Sequence, residues 1–336
     1  MHKLFLSLLA CFLVIGAAHA PLSFAAEDRE TWRDRIRERR AAQSREPGRA
    51  KMTSPGNHTR TLVDDGLERK YLVHVPKGYD PSKPTPLVVA MHGGGGNMEI
   101  QANDTYYGLI SKSDQSGVIA VFPNGYSRRK TGKLATWNAG ECCGAAVEDN
   151  VDDVGFIRAM LGEVYKDLNI DSKRIYATGM SNGGLMSYRL ACEMSDVFRA
   201  IASVAGTDNT RTCKPQNPIS VLHIHAKDDT HVLFEGGAGP DAFKSAVNEF
   251  TSVPSTISKW VGLNACASKP KRVLEKPGVY CDVYSECADG VEVQMCVTEE
   301  GGHSWPGGQK PRGTGTPSRA ISATDAIWDF FERVSS

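Results

Sequence analysis

The chain has 336 residues, no net formal charge and 40% apolar residues. That composition suits a globular core, and the length fits one large domain or two small ones. The charge balance gives no reason to expect nucleic acid or an acidic surface as a partner.

Met1-His2-Lys3 is a basic start, residues 4–17 are an apolar run, and small residues follow. This is the order of a secretion signal, and it is too short to span a bilayer. Ala18-His19-Ala20 and Ser23-Phe24-Ala25 both fit the small-x-small cleavage rule. Pro21 would sit just after the first cut, so the second is preferred and the signal is placed at 1–25. A lipoprotein reading would rest on Leu8-Leu9-Ala10-Cys11, but the apolar run continues past Cys11. The mature chain is expected to be secreted, extracellular or periplasmic. No other stretch is long and apolar enough to make a membrane its partner. Residues 26–57 are dominated by arginine, from Arg29 to Arg49, and read as a charged, flexible leader. Attachment to an anionic cell surface is the sharper alternative. A single folded domain is expected over 58–336.

Within that domain, 71–75 reads as an edge-type strand. The continuous apolar runs 86–91 and 118–122 read as strands buried on both faces. Helical spacing at Val154, Ile157, Met160, Leu161 and Val164 predicts a helix over 152–168. A short strand over 174–178 precedes a helix that continues through 185–192. Buried strands follow at 200–204 and 219–224, a further strand at 291–297, and an amphipathic helix at 322–333. Strands alternating with helices imply a mostly parallel central sheet with helices on both faces, an α/β class fold.

Nine cysteines become eight once Cys11 leaves with the signal. An even count in an exported chain reads as disulfides. Two groups stand out: Cys142, Cys143, Cys192 and Cys213, then Cys266, Cys281, Cys287 and Cys296. Pairing is expected within each group, with the partners left open. A zinc site would be the alternative, but no C-x-x-C pair or matching histidine pair is present, and no metal is expected.

Gly179-Met180-Ser181-Asn182-Gly183 lies between the strand at 174–178 and the following helix. This is G-x-S-x-G in a strand–turn–helix context, which lifts a nucleophilic serine above the sheet edge on a sharp turn. His92-Gly93-Gly94-Gly95-Gly96 follows the strand at 86–91. Such a loop lets backbone N–H groups approach a developing oxyanion, with Gly93 or Gly94 joining the N–H of Asn182. Loss of one such donor typically costs about 2.7–4 kcal/mol. His92 is expected to brace this loop beside the substrate. Where a strained serine elbow works with an acid and a base, they follow it in the order acid, then histidine. Of the histidines after Ser181, His223 and His225 precede any acid loop. His231 shares the short loop of Asp228 and Asp229. His303 sits in Gly301-Gly302-His303-Ser304-Trp305-Pro306 and is the expected base. The acid is Asp228 or Asp229 on this reasoning alone.

These motifs resemble the secreted poly(3-hydroxybutyrate) depolymerase-like and feruloyl esterase-like α/β-hydrolases, over roughly 69–331. The marks are His92-Gly-Gly-Gly-Gly, Trp137-Asn138-Ala139-Gly140-Glu-Cys142-Cys143-Gly144, Asp152-Asp153-Val-Gly155-Phe156, Gly179-Met-Ser-Asn-Gly-Gly, Gly302-His303-Ser304-Trp305-Pro306-Gly307 and Ile327-Trp328-Asp-Phe-Phe. The family places its acid in His-Gly-x-x-Asp. His225-Ala226-Lys227-Asp228-Asp229 matches at His225 and Asp229, with Ala226 in the glycine position. The resemblance therefore implies Asp229 as acid beside Ser181 and His303. It implies hydrolysis of carboxylic esters with no cofactor. The substrate would be a small ester, a feruloylated or acetylated cell-wall oligosaccharide, or a short-chain polyester. Trp137 and Trp305 are expected to line the cleft with their indoles, with Cys142 and Cys143 stapling the Trp137 loop. The stretch 307–318 is expected to form a rim beside His303. A serine peptidase and a non-catalytic binding protein on the same fold are the competing readings.

Overall fold

The computed structural model describes residues 51–335 except 130, 238 and 241–248. The expected signal and the leader as far as residue 50 lie outside the described residues. Met52 is wholly buried, and the first strand begins at Gly56, so the last residues of the expected leader belong to the folded domain.

That strand, β1 (Gly56–Asp64), turns directly into β2 (Leu67–Val75). Asp65 and Gly66 both have positive φ, 47° and 74°. This is the two-residue turn whose twist matches antiparallel partners, and Asp-Gly is its preferred sequence. The stretch 71–75 is therefore not an edge strand. β2 lies between β1 and β4 (Ile119–Pro123), and β1 takes the edge with alternating exposure.

The other strands are β3 (Thr85–Met91), β5 (Ile170–Met180), β6 (Ala200–Val204), β7 (Ser220–Ala226), β8 (Lys271–Lys276), β9 (Val279–Tyr284) and β10 (Val293–Thr298). They form one sheet in the order β1-β2-β4-β3-β5-β6-β7-β10-β9-β8. From β4 to β10 the neighbours are parallel, and antiparallel strands close both ends. Every residue of β4, β6 and β7 is buried, as apolar runs covered on both faces require.

One face is covered by α5 (Asp153–Asp167), α6 (Asn182–Glu193) and α7 (Val253–Leu263), through Phe156, Met160, Leu185 and Trp260. The other carries α3 (Leu109–Ser116) and α8 (Ala323–Arg333), through Leu109, Ile327, Trp328 and Phe331. The short helices α1 (Met98–Gln101), α2 (Asp104–Tyr107) and α4 (Gly144–Glu148) sit in connecting segments. This is an α/β-hydrolase architecture.

The cysteines pair within the two expected groups: Cys142–Cys143, Cys192–Cys213, Cys266–Cys287 and Cys281–Cys296. Cys281 and Cys296 face each other in the β9–β10 register, so their bridge staples the antiparallel end of the sheet. They close a loop of sequence separation 15. Loop-closure entropy puts such a bridge at about 3 kcal/mol. Replacing both cysteines by Ala should lower the unfolding free energy by about that amount in urea titration. An unchanged midpoint would mean that the unfolded chain gains no freedom from the loss.

Candidate active site

β3, β5, β7 and β10 all end at the same, carboxyl edge of the parallel sheet, where ligands bind in open α/β folds. Ser181 stands between β5 and α6 with φ 55° and ψ −123°. A side chain in this region is strained unless its surroundings enforce it. The enforcement is visible on both sides. A Cβ on Gly179 would lie 2.5 Å from the Gly183 backbone, and one on Gly183 would lie 2.2 Å from Met91 O. The Ser181 N–H donates to Val204 O at 2.8 Å, tying the elbow to the end of β6.

The glycine loop after β3 packs onto this elbow. A Cβ on Gly93 would sit 3.4 Å from Ser181 Cβ, and one on Gly94 would sit 3.6 Å from Asn182 Cβ. Gly95 N–H donates to Ala135 O and Gly96 N–H to Gly93 O. Among the described residues, the N–H groups of Gly93 and Gly94 have no such acceptor. Asn182 opens α6, so its N–H has no carbonyl behind it within the helix. Gly93, Gly94 and Asn182, the residues expected to hold an oxyanion, thus lie side by side at Ser181.

His92 is wholly buried and does not line a substrate cleft. Its Nε2 accepts from Gly125 N–H at 2.9 Å, so the proton is on Nδ1, which donates to Gly93 O at 2.8 Å. Burial pushes its pKa down to about 4, and the ring is a neutral strut. Trp137 is also corrected. It is wholly buried, its Nε1 donates to His92 O at 2.9 Å, and its backbone is clamped by the Asn182 amide at 2.7 and 3.0 Å. Trp305 is 1% exposed, packs edge-on to Tyr107 and donates from Nε1 to Thr324. Neither indole is placed to stack on a substrate. Both are core residues, each finding its N–H partner and its apolar cover in the protein.

Asp229 follows β7 and is 2% exposed. Its Oδ2 accepts from His303 Nδ1 at 2.8 Å, and its Oδ1 accepts from the N–H groups of His231 and Val232 at 2.8 and 2.9 Å. Burial alone would raise its pKa. The His303 imidazole and the hydrogen bonds from His225 and His303 outweigh burial and hold the carboxyl far below the usual range. Asp228 does something different. It accepts from Gly301 and Gly302 N–H at 3.2 and 2.8 Å, and so ties down the loop that carries His303.

Behind Asp229 runs a buried chain that sequence reasoning missed. His225 Nε2 lies 2.8 Å from Val232 O and 3.4 Å from Asp229 Oδ2. A carbonyl only accepts, so this nitrogen carries the proton. In a neutral His225 ring, Nδ1 then accepts from His223 Nε2 at 3.1 Å, and His223 Nδ1 accepts from Tyr188 O–H at 2.8 Å. Every tautomer in the chain is fixed from one end. Burial keeps His223 neutral by pushing its pKa well down.

The loop around Trp137 is anchored by Asp153, which the sequence showed only as part of a motif. Arg69 donates to its Oδ1 at 2.6 Å and Asn138 N–H to its Oδ2 at 2.7 Å. Two further residues stand over the glycine loop. Arg312 Nη1 and Leu134 Cδ2 lie 3.1 and 3.9 Å from the place of a Gly95 Cβ. Arg312 belongs to the stretch 307–318 expected as a rim, whereas no sequence signal pointed to Leu134.

Two clusters among the described residues have metal-ligand spacing. Cys192, Asp208 and Cys213 form one, but both sulfurs are in a disulfide. Asp229, His231 and His303 form the other, where the His303 Nδ1 already faces Asp229.

The Esterase family model matches residues 66–267, more than half of the chain. The chain belongs to this esterase family. Feruloyl esterase C of Emericella nidulans is 31% identical over 286 residues, covering 83% of this chain and 90% of that protein. Feruloyl esterase B of Piromyces equi is 31% identical over 248 residues, and there the chain spans 42% of the relative's length. The structure of an acetyl xylan esterase from Aspergillus awamori superposes with a TM-score of 0.56 at 15% identity, over 82% of this chain and 99% of that one, which shows the shared fold. This esterase is a feruloyl esterase-like α/β-hydrolase and a carboxylic ester hydrolase.

Proposed function

We propose that this esterase is exported and cleaves feruloyl or acetyl esters of plant cell walls through an acyl-enzyme on Ser181. The observation that carries the reading is the strained Ser181 elbow, at the same sheet edge as the His303–Asp229 pair. Ser181 Oγ attacks the ester carbon while its proton passes to His303 Nε2, the ring nitrogen that Asp229 leaves over. The carboxylate stabilises the imidazolium, and the N–H groups of Asn182 with Gly93 or Gly94 hold the oxyanion. His303 then protonates the leaving alcohol. Water repeats the cycle, releases the acid and restores Ser181. Each step uses only protein groups, substrate and water.

The substrate class rests on the relatives named feruloyl esterase and, through shared fold, on the acetyl xylan esterase. Export is supported by the four disulfides and the leading apolar run. No helix among the described residues is long and apolar enough to cross a membrane.

The test is acid release from methyl ferulate, acetylated xylan and dispersed poly(3-hydroxybutyrate), with Ser181→Ala as background. Ferulate or acetate release above that background is the expected result. Release of hydroxybutyrate alone would replace the cell-wall reading with a polyester depolymerase.

A further inference from the structure

His231 lies in the loop of Asp229, two residues beyond the acid. Its ring lies face to face with the ring of His303, with centroids 4.6 Å apart and planes 14° apart. Its backbone N–H is one of the two that hold Asp229 Oδ1. One short segment thus supports the carboxylate through its backbone and the imidazole through a side chain.

We propose that His231 is a positioning residue for His303, a flat platform on which the catalytic imidazole lies. The proposal rests on the roles given above to Ser181, His303 and Asp229. A single hydrogen bond from Nδ1 to Asp229 fixes a direction but not a plane, because the ring can still rotate about that axis. His303 is half-buried, with 13% of its side chain exposed, so packing on one side is incomplete. Among the described residues, no aromatic ring other than His231 pairs with it. The platform removes the rotation and keeps Nε2 aimed at the serine, where small misplacements are expensive in rate. It also lays a π face against the imidazolium that forms when Ser181 gives up its proton. Ring faces attract cations, so this contact is stronger in the transition state than in the resting enzyme. Such a contact acts on kcat rather than on substrate binding.

The experiment compares His231→Ala and His231→Phe with wild type on p-nitrophenyl acetate, an activated ester within the reaction class whatever the natural acyl group. Ser181→Ala and His303→Ala run alongside. In each His231 variant the backbone N–H at that position remains to hold Asp229. His231→Ala should lower kcat about tenfold and leave KM within about twofold. His231→Phe, which keeps a flat ring, should recover kcat to within about threefold of wild type. An unchanged kcat in His231→Ala overturns the proposal. So does a phenylalanine variant as slow as the alanine variant, which would assign the effect to the ring nitrogens. A rise in KM with kcat intact overturns it as well, by making His231 a substrate contact. Full activity in His303→Ala would mean that the underlying site reading has failed, and the His231 variants cannot mimic that result.

Discussion

Replacing Ser181 or His303 by Ala should lower kcat/KM about 10⁴–10⁶-fold, and the double replacement should lower it no further. The two groups act as a unit: without the base the hydroxyl is a poor nucleophile, and without the hydroxyl the base has no proton to take. Asp229→Asn should cost about 10⁴-fold with the fold intact, and the hydrogen bonds around it give the reason. Oδ1 accepts from two backbone N–H groups, so an asparagine must place its oxygen there. Its NH2 then faces His303 Nδ1, which becomes an acceptor. The ring must carry its proton on Nε2, and in that tautomer it cannot take one from Ser181.

Asp228→Ala is the control that separates the two adjacent acids. It removes acceptors from Gly301 and Gly302 N–H and touches no ring. The expected loss is about tenfold or less, through a looser His303 loop. Steady-state kinetics on an activated ester, with urea unfolding of each variant, reads all of these. An Asp228→Ala enzyme as inactive as Asp229→Asn would undo the assignment of the acid.

The sheet's centre could be read from the sequence because a parallel strand covered on both faces has to be a continuous apolar run. The runs at 86–91, 118–122, 200–204 and 219–224 are of that kind, and β3, β4, β6 and β7 coincide with them to within a residue or two. The ends of the sheet were harder. β1 alternates exposed and half-exposed residues, and β8 is largely exposed, so neither carries an apolar signature. Asp65-Gly66 was the available signal for the first hairpin. For α7, Ser252 as cap with Pro254 in the first turn was a similar signal.

At the site, G-x-S-x-G named the elbow because the glycines are demanded by sterics. The choice between Asp228 and Asp229 depended on which carboxylate reaches across 74 residues of sequence to an imidazole, and adjacent positions do not encode that. Trp137 and Trp305 misled for a related reason. Both sit in irregular segments, where no periodicity tells a core aromatic from one facing substrate.

The steric argument for the elbow makes a second large prediction. A Cβ on Gly183 would meet Met91 O at 2.2 Å, with His92 O and Met91 C each at 2.7 Å. All three are backbone atoms at the end of β3 and the start of the glycine loop, so no side chain can swing away. Either α6 lifts off β3 or the end of β3 moves. Both motions separate Asn182 N–H from Gly93 and Gly94. Gly183→Ala should therefore cost about 3 kcal/mol or more in stability, at the upper end for overpacking. Whatever folds should lose about 10²–10³-fold in kcat, the loss of one oxyanion donor. Gly262→Ala is the matched control. That residue is also helical, in α7, but nothing lies within 4 Å of its Cβ position. There alanine should stabilise the protein by about 0.5–1 kcal/mol, since glycine is the poorer helix former. Opposite signs for one substitution in two helices would tie the cost at Gly183 to the contact with β3. A mild Gly183→Ala with wild-type kcat would show that the elbow tolerates a side chain there, and the close approach of α6 to the glycine loop would lose its functional meaning.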